Sequence, residues 1–264
     1  MYKMLQGLWF YRQFVFSSIQ NEFRVRFARS KLGALWMIIN PLAQVAMYAL
    51  VLSNLITAKL PAIENKYAYA IYLMAGLLAW TLFSEIVSRC LSLFIANGEL
   101  MKKMSFPRIT LPSIVVGACL FNNVLLFIAM MLVFVLLGHN FGAALLWLIP
   151  LTLTVVALGL GIGLILGVIN VFLRDIGQGF PIVLQVWFWF TPVIYPESII
   201  PEAYRGLLNL NPMYPIVSAY HQVLVYNQAP SLGSFTVIFC VAMILSLLSL
   251  FMFRRASGEM VDVL

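Results

Sequence analysis

The chain has 264 residues, of which 63% are hydrophobic and only 9% charged, with a mean hydropathy of +0.98 and a formal net charge of +7. A chain this apolar cannot clothe its core in polar surface, which excludes a water-soluble domain and places it among polytopic membrane proteins with one membrane domain. The positive balance would suggest nucleic acid in a soluble protein; here it raises the question of which loops hold the lysines and arginines.

Residues 1–31 contain no uninterrupted apolar core ending in a small-residue cleavage pattern, so this segment is expected to stay on the protein. Val15, Phe16, Ile19, Phe23 and Phe27 recur at helical spacing, while Arg12, Asn21, Glu22, Arg24, Arg26 and Arg29 occupy mainly other faces. The pattern predicts an amphipathic interfacial helix. Arg24, Arg26, Arg29 and Lys31 can meet anionic headgroups, each basic residue contributing about 1 kcal/mol near such a surface. Membrane anchoring is the ordinary meaning of such a helix; recruitment of an anionic lipid-linked substrate is the sharper one.

Six charge-poor stretches follow, at 32–58, 67–87, 109–137, 143–173, 176–195 and 232–253, each able to cross a bilayer once. The longer ones can tilt, kink at Pro41, Pro112 or Pro150, or project past the membrane. Between Arg108 and Arg174 there are 65 residues without Asp, Glu, Lys or Arg. As one helix they would reach roughly 100 Å against a core of roughly 30 Å, so the run must fold back. The turn is legible as Gly138-His139-Asn140-Phe141-Gly142, which puts Arg108 and Arg174-Asp175 on the same side.

With both termini inside, the cytoplasmic segments collect Lys3, Arg12, Arg24, Arg26, Arg29, Lys31, Lys102, Lys103, Arg108, Arg174, Arg254 and Arg255, and the outer loops only Lys59, Lys66 and Arg205. That asymmetry sets the orientation. Arg89 falls near the inner end of the second stretch, one helical turn from Glu85, and the two are expected to pair structurally rather than serve a proton relay. Cys90, Cys119 and Cys240 are isolated and odd in number, so buried thiols are expected rather than a disulfide framework or metal site.

Within the spans the polarity is uncharged. Asn40, Gln44, Asn122, Asn123, Asn170, Gln185 and Thr191 can hydrogen-bond, and Trp187, Phe188, Trp189 and Phe190 form an aromatic run. Such walls suit a sugar chain, whose apolar ring faces stack on aromatics and whose hydroxyls match amides. Aromatic belts also mark every membrane interface, and only one or two of four consecutive aromatics can face a pore. Asn40, Gln44, Asn122, Asn123, Asn170, Gln185, Trp187, Trp189 and Phe190 are thus the channel candidates. Gly159, Gly163 and Gly167 recur every four residues and allow another helix to approach closely.

The outer segment after Tyr195 is too apolar for a solvated loop. Ile216, Val217, Tyr220, Val223 and Leu224 form a helical stripe after Asn211-Pro212-Met213-Tyr214-Pro215, and a shorter helix is expected near Pro201. A re-entrant pair framing an exit and a flat lid fit this pattern equally.

Recognisable catalytic chemistry is lacking. No phosphate-loop, His-Glu-x-x-His or Gly-x-Ser-x-Gly sequence occurs, nor the paired carboxylates of a membrane prenyl transferase, and no metal or cofactor is expected in this chain. An intramembrane glycan- or lipid-transferring enzyme remains the alternative class, and it would have to turn over without a partner.

Four stretches carry a resemblance: Arg24-Val25-Arg26-Phe27-Ala28-Arg29-Ser30-Lys31-Leu32-Gly33-Ala34-Leu35-Trp36 leading to Asn40-Pro41; Asn97-Gly98-Glu99-Leu100-Met101-Lys102-Lys103-Met104-Ser105-Phe106-Pro107-Arg108; Asn170 to Gln178 with Thr191 to Pro196; and Leu210 to Pro215. In this order the chain resembles the membrane permease subunit of type-two ABC exporters of O-antigen, capsule and teichoic-acid polymers, most closely the Wzm-like O-antigen permeases. The resemblance implies an all-α fold with six transmembrane helices after an interfacial segment (1–31), in a membrane domain spanning 32–264. It implies a homodimer forming a channel for a lipid-linked polysaccharide in the bacterial inner membrane, with two nucleotide-binding ATPase subunits that carry ATP and Mg. Nucleic acid is not among the expected partners. A coupling loop at 96–108 would set Gly98, Glu99, Leu100, Met101, Lys102, Lys103, Phe106, Pro107 and Arg108 against or beside the ATPase, and gate helices would fall within 196–230. A capsule, teichoic-acid or small-molecule exporter would differ in substrate alone.

Overall fold

The computed structural model describes residues 6–7, 9–28, 33–36, 39, 42–43, 68–103, 107–136, 138–139 and 141–263. The expected first span lies almost wholly outside these, as do Asn40, Gln44, Arg29, Lys31 and Phe106, and Arg26 and Lys103 are described through their backbone alone. Among the described residues every regular element is helical: α1 (Arg12–Ala28), α2 (Ala68–Ala96), α3 (Gly98–Lys103), α4 (Thr110–Leu136), α5 (Leu148–Phe172), α6 (Asp175–Phe190), α7 (Glu202–Leu208), α8 (Met213–Leu224), α9 (Leu232–Ala256) and α10 (Glu259–Val263). Short 3₁₀ turns at Ala143–Trp147 and Glu197–Ile199 lead into α5 and α7.

α2, α4, α5 with its leading turn, and α9 are long and apolar enough to cross a bilayer. They match the expected second, third, fourth and sixth spans, with one extension. α2 continues to Ala96, well past Val87, because Arg89 is neutralised within the fold and its charge no longer ends the span. The expected fifth span is cut short. α6 has 16 residues, about 24 Å at 1.5 Å per residue. It ends at Phe190 because Pro192 forces Thr191 out of helical conformation, to φ −102° and ψ 128°. Pro112 and Pro150 do not kink their helices; each sits in a first turn, where a missing N–H breaks no bond.

α2 is the axis of the bundle. Every residue from Ile71 to Trp80 is buried, as an all-round apolar helix requires. α4, α5 and α8 pack around it, while α9 covers the far side of α5. The turn at Gly138 forms as expected, with Gly138 at φ 73° accepting the left-handed conformation that ends α4. The two legs it joins barely touch, however, since α2 lies against both.

Glycines explain why α5 can sit between two helices. Gly159 and Gly163 face α2: a Cβ at 159 would lie 3.2 Å from Ile86 Cβ, one at 163 would lie 2.7 Å from Cys90 Cβ, and one at Gly167 would collide with the Cys90 carbonyl oxygen. Gly161 points the other way, where a Cβ would come within 2.9 Å of the Leu245 backbone in α9. With lipid as apolar as the helices themselves, such close van der Waals contact is what holds them together.

Gly163→Val is therefore expected to lower the unfolding temperature of the detergent-solubilised protein by several degrees. Gly179→Ala, at an α6 position with nothing within 4 Å, should leave it unchanged or slightly raised. Thermal melts of the two variants side by side check the packing assignment.

Candidate functional site

The functional features gather at the two ends of α2. At its C-terminal end Asn97 interrupts the helix, its Nδ2 donating to Leu93 O at 2.8 Å, and α3 begins one residue later. Of the expected coupling residues, Gly98 is buried, Met101 is turned inward at 4% exposure, and Glu99, Leu100 and Lys102 are exposed, Leu100 at 44%. Leu100 is thus the apolar side chain that α3 offers outward. α10 packs beneath α3 with Met260 fully buried, and Arg108 donates a hydrogen bond to the Ser257 carbonyl, joining the loop to the C-terminal turn. Pro107 and Arg108 are half-buried there.

Further along α2 lies a charged cluster. Arg89 Nε meets Glu85 Oε1 at 3.2 Å, the expected pair, and its Nη2 bonds Glu22 of α1 as well. Asn122 of α4 donates through Nδ2 to the same Glu85 oxygen at 2.7 Å, while its own Oδ1 is buried without a partner. Glu22 is the residue that sequence reasoning missed: a lone acid among the arginines of α1 was the available signal. α1 consequently packs against α4, with Phe23 on Phe121 at 4.5 Å and Ile19 over Gly117, rather than presenting its whole stripe to lipid; Phe16 stays exposed, as does the Arg24 side chain.

Asn123 and Asn170 are also engaged within the chain. Asn123 Nδ2 donates to Leu78 O at 3.0 Å. Asn170 donates to Leu91 O at 2.8 Å and accepts from the Gly177 N–H at 2.8 Å, clasping α5, α2 and the start of α6 together. A side chain on Gly177 would displace that clasp, its Cβ falling 2.7 Å from Asn170 Oδ1.

At its N-terminal end α2 holds the turn after α6. Tyr69 and Tyr72 donate from their hydroxyls to the carbonyls of Ile194 and Tyr195, at 2.6 and 3.3 Å. His221 of α8 stacks on Tyr72 with ring centroids 3.6 Å apart, and its Nε2–H donates to the Tyr72 carbonyl at 3.1 Å. Gly76 leaves room for this ring. Full burial pushes the His221 imidazole down to about 3, so it is neutral at physiological pH. Trp187 is wedged against Trp80 and Phe83, and its indole N–H donates to Asn211 Oδ1 at 2.8 Å. Asn211 also takes the Met213 N–H and donates to Thr191 Oγ1 at 2.9 Å, so one amide fastens the end of α6 to the start of α8. The Asn-Pro-Met sequence carried a turn signal for it.

Gln185, Trp189 and Phe190 project outward instead, Trp189 at 54% and Phe190 at 69% exposure. Ile182, Val183 and Val186 are exposed beside them, leaving Leu184 as the buried side chain of α6. The predicted outer helices are present as α7 and α8. The stripe Ile216, Val217, Tyr220, Val223 and Leu224 is fully buried against the bundle, so α8 is built into it and does not rest flat.

Arg89→Gln should cost about 1–3 kcal/mol, less than for a fully buried pair because these side chains are only partly buried. The triple variant Glu22→Gln/Glu85→Gln/Arg89→Gln should recover part of that loss, since both acids that face Arg89 are neutralised with it; denaturant titration of both reads it. His221 yields a second expectation, with the sign following from its lowered value. Its contribution is complete above about pH 6.5 and lost as the pH falls toward 3, about 2 kcal/mol by pH 5. His221→Gln should remove that slope in melts between pH 7.5 and 5.

A family model described as ABC-2 type transporter matches residues 13–225. The chain is 32% identical over 251 residues to the O-antigen export system permease protein RfbA of Myxococcus xanthus, covering 93% of each. It is 25% identical to a protein of the same name from Klebsiella pneumoniae, over 92% of each chain. Against the polysialic acid transport protein KpsM of Escherichia coli it is 26% identical over 75% of each.

Proposed function

Because this chain belongs to the ABC-2 type transporter family, we propose that it is the permease subunit of a polysaccharide exporter, moving a lipid-linked, O-antigen-like polymer across the bacterial inner membrane. Two copies form the channel, both termini lie in the cytoplasm, and two separate ATPase subunits bind ATP and Mg. The printed names of the relatives support the polymer class, and the Lys and Arg asymmetry of the loops supports the orientation.

One observation carries the mechanism: α3, with Glu99, Leu100 and Lys102 exposed, follows directly on the central helix. An ATPase seated on α3 through Leu100, with Glu99 and the lysines setting register, would move α2 as a lever. α2 holds α6 at both ends, through Asn170 and Gly177 inside and through Tyr69, Tyr72 and Trp187 outside. Displacement of α3 therefore reaches α6, whose open face carries Gln185, Trp189 and Phe190 toward the polymer path. α7 and α8 act as the outer gate, hinged on Asn211. Arg24, Arg26, Arg29 and Lys31 receive the anionic headgroup or the surrounding lipid, while Asn40 and Gln44 complete the channel wall.

Glu99→Lys combined with Leu100→Asp should abolish surface polysaccharide, read by immunoblot, while the chain remains in the membrane fraction at normal abundance. Normal export from that variant would remove the coupling role. Product formation from lipid-linked sugar by the purified chain without its ATPase would instead favour an enzyme.

A further inference from the structure

A cavity of about 860 Å³ opens at the outer end between α8 and the first half of α9. This is within the roughly 300–1,000 Å³ of small-ligand sites. Its two walls differ in chemistry. α8 turns its apolar stripe into the bundle and presents Tyr214, Ser218 and Gln222, four residues apart, to the cavity. α9 contributes Gly233, Ser234, Phe235, Val237, Ile238 and Val241 from the other side. Glu197 stands at one end, its Oε2 accepting from the Tyr214 hydroxyl at 2.7 Å. Burial and this carboxylate hold the Tyr214 phenol far above its ordinary value, so it stays a donor.

The polar groups exceed what the fold needs of them. Gln222 Nε2 meets Ser218 Oγ at a long 3.4 Å, which leaves its carbonyl oxygen and second N–H open to a ligand. No Lys, Arg or His is among the lining residues, so a phosphate would enter without a counter-charge. A wall of amide, hydroxyl and carboxylate facing a largely apolar wall with Phe235, Val237 and Ile238 matches a sugar ring, which has a hydroxyl edge and a C–H face.

We propose that this cleft is a glycan-binding subsite for neutral pyranose units, separate from the α6 face and placed to receive the polymer as it leaves. Glu197 and Gln222 take ring hydroxyls, and the ring face lies on Val237. The inference rests on the export reading above.

The test uses the permease–ATPase complex in nanodiscs, with the oligosaccharide released by mild acid from the host's own surface polysaccharide as probe, and binding read by calorimetry. Gly233 has nothing within 4 Å of its Cβ position, so Gly233→Trp fills the cleft without disturbing the fold. Gly233→Trp and Gln222→Leu should each weaken binding at least tenfold at unchanged melting temperature. Undiminished binding to Gly233→Trp overturns the site. A phospholipid retained by the wild type and lost from Gly233→Trp, in native mass spectrometry, overturns the glycan assignment. The export reading is scored separately: a deletion strain with normal surface polysaccharide removes it, and this inference with it, whereas a polysaccharide-free deletion strain together with unaltered Gly233→Trp binding removes the subsite alone.

Discussion

The contact of the α5 glycines with the backbone of α2 is the constraint on which the rest of the structure depends. At 159, 163 and 167 the absence of a side chain lets Ile86, Val87 and Cys90 come to van der Waals distance. Lipid offers the apolar faces of both helices nearly the same environment as a protein neighbour does, so association comes from close fit rather than from escape from water. With α5 seated this way, Gly161 leaves its opposite side open to α9. α2 then touches α4, α5, α6 and α8.

Polar groups then follow the same helix. Arg89 would be costly in an apolar span, but Glu85 on its own helix and Glu22 from α1 flank it, and Asn122 adds a bond to Glu85. Asn123 and Asn170 spend their amides on α2 carbonyls. These bonds make α2, the turn before α6 and the turn after it into a single block. Such a block transmits displacement, because its members have no independent place to go. The exposed face of α6 and the cleft between α8 and α9 lie outside that block, where a ligand can meet unspent side chains.

Much of this was legible in particular residues. The uncharged run before Arg174, the Gly138 turn, the four-residue glycine repeat and the Glu85–Arg89 spacing each have a local physical meaning that survives into the fold. The Thr191-Pro192 step was equally local, and hydropathy alone read through it. Glu22 could not be paired from sequence, since its partner is 67 residues away and its standing as a lone acid among the arginines of α1 does not name that partner. The amides Asn122, Asn123 and Asn170 read equally well as channel lining or interhelical bonds, because composition says that an amide is present and not which carbonyl it faces.

Composition, hydropathy and charge placement by themselves determined that the chain is a helical membrane protein, where the apolar helices α2, α4, α5 and α9 run, and which of its loops are basic. These are properties of single residues and near neighbours, which solvent transfer energies register directly. Tertiary structure alone decided that α2 is the axis, that the legs of the Gly138 hairpin stand apart, and that Met101 turns inward while Leu100 faces out. It also decided that α8 is built into the bundle. Such outcomes depend on which surfaces meet across long stretches of chain, and close packing selects among pairings that hydropathy ranks as equal.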